Sequence, residues 1–228
     1  MAEVPVITVD GPSGTGKGTL CIYLADWLGW HLLDSGALYR VLALAALRAG
    51  TDLDDEQTLV ALARDLDVAF ERDEKGMRVK LDGEDVSGRI RTEECGNAAS
   101  RIAAMATVRA ALVERQRAFQ QFPGLIADGR DMGTVIFPQA PLKLFLTASP
   151  AERAKRRYKQ LIEQGISVNL QRLSADITER DERDSKRAAS PLKPASDAIT
   201  IDTTRDDIEA VKARVATLVR ERFVHLPD

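Results

Sequence analysis

The chain has 228 residues, of which 44% are hydrophobic and 29% charged, the values of an ordinary globular protein with a sizeable core. Its formal net charge of −3 argues against a general nucleic-acid binder, and its two cysteines, Cys21 and Cys95, form no CxxC pair, which argues against a disulfide framework. No apolar run approaches the roughly 20 residues that span a bilayer, and MAEVPVITVD is not a secretory signal, so we expect a cytoplasmic protein without a membrane segment.

Five short apolar runs predict strands, and helical patterns lie between most of them. An uninterrupted apolar run is typical of a strand covered on both faces, and strands that alternate with helices indicate a parallel, doubly wound sheet. The predicted strands are Pro5–Asp10, His31–Asp34, Leu125–Asp128, Leu142–Thr147 and Ala198–Asp202. The predicted helices are Lys17–Leu28, Ala37–Ala49, Ala98–Gln121, Ala151–Gln164, Leu170–Arg187 and Asp206–Arg222.

One segment departs from this alternation. Val68–Glu71, Met77–Leu81 and Glu84–Val86 are short β-prone pieces joined by the turn sequences DEKG and DG. Short strands separated by turns of this kind indicate antiparallel pairing. The sequence therefore predicts a small antiparallel insert in a parallel α/β scaffold.

The stretch VDGPSGTGKGTL, residues 9–20, predicts a phosphate-binding loop between the first strand and the first helix. It satisfies the G-x-x-x-x-G-K pattern. Glycines allow several amide N–H groups to turn toward one anion, the helix adds its positive end, and the lysine supplies a charge for the β- and γ-phosphates. The predicted nucleotide-binding residues are Gly11, Pro12, Ser13, Gly14, Thr15, Gly16, Lys17, Gly18 and Thr19.

The loop ends in GKGT, so the hydroxyl that binds magnesium in many such loops comes one position later than usual, at Thr19. Asp128, at the end of the apolar run LIAD, is the second candidate for the metal site, because a carboxylate at the end of a neighbouring strand orients magnesium in such folds. The alternative for Asp128 is a strand-end carboxylate that only caps the next turn.

Arginines beside small polar residues indicate a second anionic ligand. Arg40 follows the strand end DSG by one turn, and Arg130 lies in GRD directly after the third large-sheet strand. Arg180, Asp184 and Arg187 fall at i, i+4 and i+7 of one helix face. An acceptor that is itself a phosphate ester needs charge neutralisation more than a general base. A hydroxyl acceptor would instead need a general base, and Asp34 or Asp131 could serve as that base. Two interpretations remain open for three basic residues of the helix after the fourth large-sheet strand. They could bind a ligand, or they could belong to a solvated helix face; these residues are Arg153, Arg156 and Lys159.

Three other functions remain open from these residues alone. The first is a phosphate-loop kinase for a small hydroxyl substrate such as shikimate or gluconate. The second is a nucleotide-dependent switch of the GTPase kind, which the lack of an N-K-x-D guanine motif disfavours. The third is nucleic-acid binding through residues 151–193, where basic residues outnumber acidic ones but acids interleave at nearly every turn.

The chain resembles the bacterial cytidylate kinase family of the nucleoside monophosphate kinase group. The resemblance runs from residue 6 to about residue 202. Its middle stretches are much more specific to this family than the phosphate-loop pattern, which many nucleotide-binding proteins share. The matching stretches are ITVDGPSGTGKGT, WHLLDSGALYRVLALAAL, LDGEDVSGRIRT, GLIADGRDMGTVIFP and ERDERDSKRAASPL.

This resemblance implies transfer of a phosphoryl group from ATP to CMP or dCMP with Mg²⁺. We also expect a monomer that binds neither nucleic acid nor membrane. The resemblance implies one P-loop NTPase-type domain over residues 1–228, built on a doubly wound five-stranded parallel sheet with helices on both faces. The expected subregions are a core of residues 1–34, 87–150 and 191–228, an NMP-binding region of residues 35–86 with the antiparallel insert, and a helical lid of residues 151–190.

The resemblance also assigns acceptor-binding residues by position. Ser35, Ser100, Arg109 and Asp131 would contact the cytosine side, Arg40 and Arg130 would hold the acceptor phosphate, and Arg180, Asp184 and Arg187 would close from the lid. The expected catalytic residues are Lys17, Arg130, Arg180 and Arg187. A carboxylate paired with an arginine complements the amino donor and the N3 and O2 acceptors of cytosine, so we expect CMP to be preferred over UMP.

Overall fold

The structure is a computed structural model that describes residues 3–73, 76–163 and 165–223. In these residues eight strands form a five-stranded parallel sheet and a three-stranded antiparallel sheet. The strands are β1 Val6–Asp10, β2 His31–Asp34, β3 Val68–Asp73, β4 Gly76–Leu81, β5 Glu84–Asp85, β6 Leu125–Gly129, β7 Leu142–Thr147 and β8 Ile199–Asp202. The predicted α/β fold with an antiparallel insert is confirmed.

The helices of the described residues begin and end close to the predicted positions in most cases. They are α1 Lys17–Leu28, α2 Ser35–Arg48, α3 Glu56–Asp65, α4 Glu93–Ile102, α5 Ala106–Arg117, α6 Pro150–Glu163, α7 Leu170–Lys186 and α8 Ile208–Arg222. A 3-10 turn, Arg89–Arg91, precedes α4, and a π-helical turn, Met132–Ile136, follows β6.

Strand β1 lies at the centre of the larger sheet, whose order is β2-β6-β1-β7-β8. It pairs in parallel with β6 and with β7, and in this register Asp10 lies opposite Gly129. All five residues of β1 are buried, as its apolar run predicts. The carboxyl ends of parallel strands meet at one edge of the sheet, so the segments after β1, β6 and β7 begin at the same edge.

The chain forms two compact units. The first comprises Met1–Leu33, Arg117–Lys186 and Ser190–Asp228, and the second comprises Asp34–Gln116 and Arg187–Ala189. Each has its own apolar core. The core of the first unit includes Ile7, Leu24, Ile126, Leu144 and Val215, and the core of the second includes Leu42, Leu59, Val86, Ile102 and Leu112. Burying each such side chain stabilises the fold by about 1.5–3 kcal/mol.

One prediction about a helix is wrong, and one helix was not predicted. The single helix predicted over Ala98–Gln121 is two helices, because the chain turns between α4 and α5. At that turn the N–H of Met105 donates to the Ile102 carbonyl at 3.1 Å, a tighter pattern than that of an α-helix. Helix α3 was missed, although Asp55 caps it by accepting from the Thr58 N–H at 3.1 Å.

Other predictions differ in detail. The prediction that every large-sheet strand is covered on both faces is wrong for β2 and β8, which are partly exposed because they form the two edges of the sheet. The predicted DEKG turn includes Glu74 and Lys75, and the predicted end of the sixth helix pattern is Gln164. These three residues lie outside the described part of the chain.

Candidate functional site

The phosphate loop follows β1 and leads into α1, as the sequence predicts. Gly11, Gly14 and Gly16 have φ values of 144°, 78° and 90°, a backbone region that favours glycine. A Cβ atom added to Gly11 would lie 2.0 Å from the Leu146 carbonyl oxygen, so no side chain fits there. Gly16 precedes α1 without a side-chain cap, which leaves the first amides of this helix for an anion.

Lys17 is buried at the first position of α1. Its Nζ donates to the Pro12 carbonyl at 2.8 Å, and the Thr15 hydroxyl donates to the same oxygen at 3.1 Å. Burial and the positive charge of Arg130 lower the pKa of Lys17 to about 8, and the Asp128 carboxylate opposes this shift. A positive charge held at this position is costly until an anion compensates it.

Two side chains fasten the loop to other elements of the first unit. Arg153 of α6 donates from Nη1 to the Ser13 carbonyl at 3.2 Å, and it forms a bidentate ion pair with Asp181 of α7. The Thr203 hydroxyl, which follows β8, donates to the Thr15 carbonyl at 3.1 Å. Arg156 in turn donates to the Thr203 carbonyl at 2.5 Å. Arg153 and Arg156 therefore make specific contacts and do not form a solvated helix face, whereas Lys159 is exposed and its Nζ lies 3.8 Å from Glu163 Oε1 in an i, i+4 pair.

The segment Gly129–Gly133, which we call the GRDMG turn, is held by Asp10. The Oδ1 and Oδ2 atoms of Asp10 accept hydrogen bonds from the N–H groups of Met132 and Gly133, both at 2.8 Å. Burial raises the pKa of Asp10 to about 6, and the Asp131 carboxylate adds to this shift, while the two amides and Lys17 oppose it. Asp10 was not among the predicted site residues, although an aspartate that ends the apolar run of β1 and directly precedes the phosphate loop is visible in the sequence.

Arg130 lies on the same turn and pairs with Asp184 of α7. Its Nε donates to Asp184 Oδ2 at 2.8 Å, and the two side chains are 17% and 6% exposed. Burial disfavours the charged guanidinium, but Asp184, Asp128 and Asp181 together raise the pKa of Arg130. Arg180 lies one helical turn before Asp184 on the same helix and is partly buried.

The two metal-site candidates both belong to this region of the first unit. A Cβ atom added to Gly18 would lie 3.8 Å from Asp128 Oδ2, so the carboxylate lies against the first turn of α1. Thr19 is exposed on that turn. In the described residues no group of three or more His, Cys, Asp or Glu side chains could hold a metal ion by itself.

Arg40, in the second unit, is held by backbone carbonyls. Its Nη1 donates to the Ile90 carbonyl at 2.6 Å and to the Thr92 carbonyl at 3.3 Å. The guanidinium also packs on Gly96, where an added Cβ would lie 2.9 Å from Nη2. This packing explains a glycine inside α4, because any larger residue would displace Arg40.

Ser35 begins α2 and donates its hydroxyl to Gln116 Oε1 at 2.7 Å, in a buried pair. Gln116 is fully buried and donates from Nε2 to the Leu112 carbonyl at 3.3 Å. Sequence reasoning missed Gln116, since nothing local distinguishes it from other polar positions of α5. Ser100 of α4 is also buried.

Arg109 and Arg187 converge on one backbone oxygen in the second unit. The Nη1 atoms of both residues donate to the Ala103 carbonyl, at 3.1 Å and 3.5 Å. The Arg109 guanidinium also lies 5.5 Å from the centre of the Tyr39 ring, a cation–π contact. Sequence reasoning missed Tyr39, although it directly precedes Arg40.

The predicted residues thus fall into two sets, one in each unit. The first unit contains the phosphate loop, Asp128, Arg130, Asp131, Arg180 and Asp184, and the second contains Ser35, Arg40, Ser100, Arg109 and Arg187. In the described part of the chain, no helix is both long and apolar enough to cross a membrane.

A parallel sheet whose central strand leads into a glycine loop, an uncapped helix N-terminus and a buried lysine is the arrangement of a phosphate-loop nucleotide-binding protein. A family model described as cytidylate kinase matches residues 7–221. The chain belongs to the cytidylate kinase family.

Individual relatives agree with this family match. A cytidylate kinase of Aeromonas hydrophila subsp. hydrophila is 61% identical over 219 residues, covering 96% of this chain and 95% of that protein. A cytidylate kinase of Klebsiella pneumoniae (strain 342) is 58% identical over 222 residues, covering 97% and 98%. A solved gluconokinase of Sinorhizobium meliloti 1021 has a TM-score of 0.48 and 14% identity, covering 97% of this chain and 95% of that chain. It is too distant to bear on function.

Proposed function

We propose that the protein transfers the γ-phosphoryl group of ATP to CMP or dCMP, giving ADP and CDP or dCDP. The observation that carries this proposal is a complete phosphate loop, with Lys17 buried at the start of α1, in a member of the cytidylate kinase family. The transfer is direct and in line, without a covalent enzyme intermediate.

The donor phosphates bind at the loop formed by residues 11–19. The amides of the loop and of the first turn of α1 stabilise the β-phosphate, and Lys17 neutralises charge on the β- and γ-phosphates. The lowered pKa of Lys17 supports this role, because the negative charge of a bound phosphate would raise that pKa again toward its ordinary value.

Mg²⁺ fits beside the same loop. Asp128 lies against the first turn of α1, where Thr19 offers its hydroxyl. Magnesium usually takes one or two protein oxygens and fills its remaining positions with phosphates and water, so a donor set this small suffices. When bound, the ion neutralises charge on the β- and γ-phosphates.

The acceptor phosphate binds to Arg130 and Arg40, and the base and sugar bind to the other predicted residues. Asp131 accepts a hydrogen bond from the cytosine amino group, and Arg109 donates to its ring acceptors. Uracil would place a carbonyl oxygen against the carboxylate, a mismatch that costs about 1–3 kcal/mol. Ser35, Ser100, Arg180, Asp184 and Arg187 complete the set.

Catalysis rests on charge neutralisation rather than on a general base. Lys17, Arg130, Arg180 and Arg187 stabilise the negative charge that the two phosphates share in the transition state. His31 begins β2 at the opposite end of the strand from Asp34, and its Nε2 lies 2.9 Å from the Phe122 carbonyl oxygen, which supports this reading. We further propose that residues 151–190 act as a lid that excludes water, and that the protein is a cytoplasmic monomer.

One coupled assay of ADP formation tests the proposal. With ATP and Mg²⁺, CMP and dCMP should each support turnover, and UMP should show a kcat/KM at least about tenfold lower than that of CMP. AMP, shikimate and gluconate should release no ADP above background. ADP release with shikimate or gluconate but not with CMP would show that the protein is a kinase of hydroxyl substrates. Equal kcat/KM values for CMP and UMP would show that Asp131 does not contact the base.

A further inference from the structure

Asp10 makes an unusual pair of contacts for an aspartate at the end of a strand. Both of its carboxylate oxygens accept from consecutive backbone amides, those of Met132 and Gly133, at 2.8 Å each. Asp10 is 4% exposed, so these bonds are shielded from water. A buried carboxylate that accepts hydrogen bonds from two successive amides fixes the position and orientation of both peptide units.

The anchored backbone is one that needs an external anchor. The GRDMG turn leads into a π-helical turn, in which the Ile136 N–H reaches the Asp131 carbonyl at 3.2 Å and the Phe137 N–H reaches the Met132 carbonyl at 2.7 Å. Such turns are rare and less favourable than an α-helix. The first amides of this turn have no partner within the helix itself, and Asp10 supplies one for Met132 and for Gly133.

The close packing around the turn agrees with a fixed position. A Cβ added to Gly133 would lie 2.9 Å from Thr8 Oγ1, and a Cβ added to Gly129 would lie 2.7 Å from Met132 Cγ. Asp10 and Gly129 are also opposite each other in the pairing of β1 with β6. The turn is thus fixed at its start by the sheet and at its end by Asp10.

The two residues between these fixed points are Arg130 and Asp131. We propose that Asp10 is a positioning residue for the acceptor nucleotide, which fixes the GRDMG turn so that Arg130 and Asp131 keep the geometry needed for the phosphate and the cytosine of CMP. This inference rests on the proposed function, since it assumes that Arg130 and Asp131 contact the acceptor.

The aspartate satisfies both amides from this position, and asparagine would not. Asparagine has nearly the same shape but one acceptor oxygen, so its NH₂ group would face an N–H donor. The raised pKa of Asp10 indicates that the buried charge is unfavourable near neutral pH, which is more easily explained by a positional role than by a contribution to stability. Lys17 and Asp131 are the charged groups that act on it.

A competing explanation is that Asp10 acts on the donor side through Lys17. Asp10 directly precedes Gly11 and is electrostatically coupled to Lys17. The two explanations differ in which substrate is affected. A positioning role for the GRDMG turn predicts a defect for CMP, whereas a role through Lys17 predicts a defect for ATP.

The test is the steady-state kinetics of Asp10→Asn with CMP, UMP and ATP, next to wild type. Wild type must first show CMP-dependent ADP formation, because without it the proposed function fails. In the variant we expect the kcat/KM for CMP to fall about ten- to hundredfold and the preference for CMP over UMP to shrink about tenfold or more, because small displacements of binding groups are costly. The KM for ATP should stay within about twofold of wild type.

Thr8→Val is the matched control. Thr8 is fully buried on the same strand, lies next to Gly133, and its hydroxyl has no hydrogen-bond partner in the described residues. It should leave both the CMP kinetics and the CMP preference unchanged. If Asp10→Asn matches wild type with CMP and UMP, or if its defect lies in the KM for ATP, the inference is overturned while the proposed function stands.

A second measurement serves if Asp10→Asn does not fold. Hydrogen exchange of the Met132 and Gly133 amides in wild type should slow when CMP binds, because the acceptor tightens the turn that Asp10 holds. A nonhydrolysable ATP analogue alone should leave this exchange unchanged. Exchange at these amides that ignores CMP, or that responds only to the ATP analogue, would contradict the positioning role.

Discussion

Arg130 and Asp184 form a largely buried ion pair in which Nε lies 2.8 Å from Oδ2. The pair joins the GRDMG turn to α7 within the first unit. Because the carboxylate takes Nε, the two terminal nitrogens of the guanidinium are the ones suited to a phosphate. The pair therefore orients Arg130 for a second anion, as bidentate arginine sites require.

Arg130→Lys tests this orientation. Lysine keeps the positive charge beside Asp184 but loses the planar fork, so we expect kcat with CMP to fall by about 10²-fold or more with little change in the melting temperature. Arg101→Lys is the control, because Arg101 forms an exposed pair with Asp54. Turnover near the wild-type rate in Arg130→Lys would exclude Arg130 from the catalytic set.

The lowered pKa of Lys17 leads us to expect that the protein takes up a proton when ATP binds. That pKa is about 8 in this structure, and bound phosphates should return it toward its ordinary value of 10.5. At pH 8 the phosphates of ATP are already ionised, so the lysine should take up about half a proton. Calorimetry in buffers with different ionisation enthalpies measures this number, and Lys17→Met should abolish it. Equal heats in all buffers would mean that Lys17 does not meet the phosphates.

Asp10 predicts a pH-dependent difference in stability. Its pKa is 3.8 in the unfolded chain and about 6 when folded, so the folded state holds the proton more tightly. Its contribution to stability is thus fully present only below the unfolded pKa of 3.8 and is lost as the pH rises through 6. Relative to Asp10→Asn, wild type should lose about 2–3 kcal/mol of unfolding free energy between pH 4 and 7.5. Denaturant unfolding of both proteins at several pH values measures this difference in unfolding free energy. A difference that does not change with pH would contradict the prediction.

Ser35 is expected to have both a structural and a binding role. Ser35→Ala leaves the buried Oε1 of Gln116 without its donor, which should lower the unfolding free energy by about 1–3 kcal/mol and raise the KM for CMP. The double variant Ser35→Ala/Gln116→Leu should recover much of the stability, because an apolar pair replaces a polar one, but not the KM. A KM that recovers together with stability would assign Ser35 to the structure alone.

Arg153 joins the phosphate loop to α7, and its loss should affect both. Arg153→Met leaves Asp181 without its partner and the Ser13 carbonyl without its donor, so we expect a loss of about 3 kcal/mol of stability and a higher KM for ATP. Lys155→Met, at an exposed position of the same helix, should change stability by less than about 0.5 kcal/mol. A double-mutant cycle with Asp181→Asn would show no coupling if the pair were unimportant.

The sequence was sufficient for the sheet and the donor loop because their signals are local. The apolar run PVITVD and the spacing of Gly11, Gly16 and Lys17 lie within a few residues of each other. The same holds for the family, whose predicted membership is confirmed by the match over residues 7–221. The roles of the individual site residues and the division into core, NMP-binding region and lid stay predictions.

What the sequence did not reveal depends on contacts between distant positions. The break between α4 and α5 exposes the Ala103 carbonyl, which Arg187 reaches from 84 positions away. Asp10 meets amides 122 and 123 positions further along, and Ser35 meets Gln116 across 81 positions. Each of these partners is an ordinary polar or backbone group in its local context, so no pattern within one segment marks it.

The separate apolar cores of the two units have a consequence for substitutions within them. A large-to-small substitution at a buried position of residues 34–116, such as Leu59, removes packing from the cluster that this unit encloses and not from the cluster around the sheet that carries the phosphate loop.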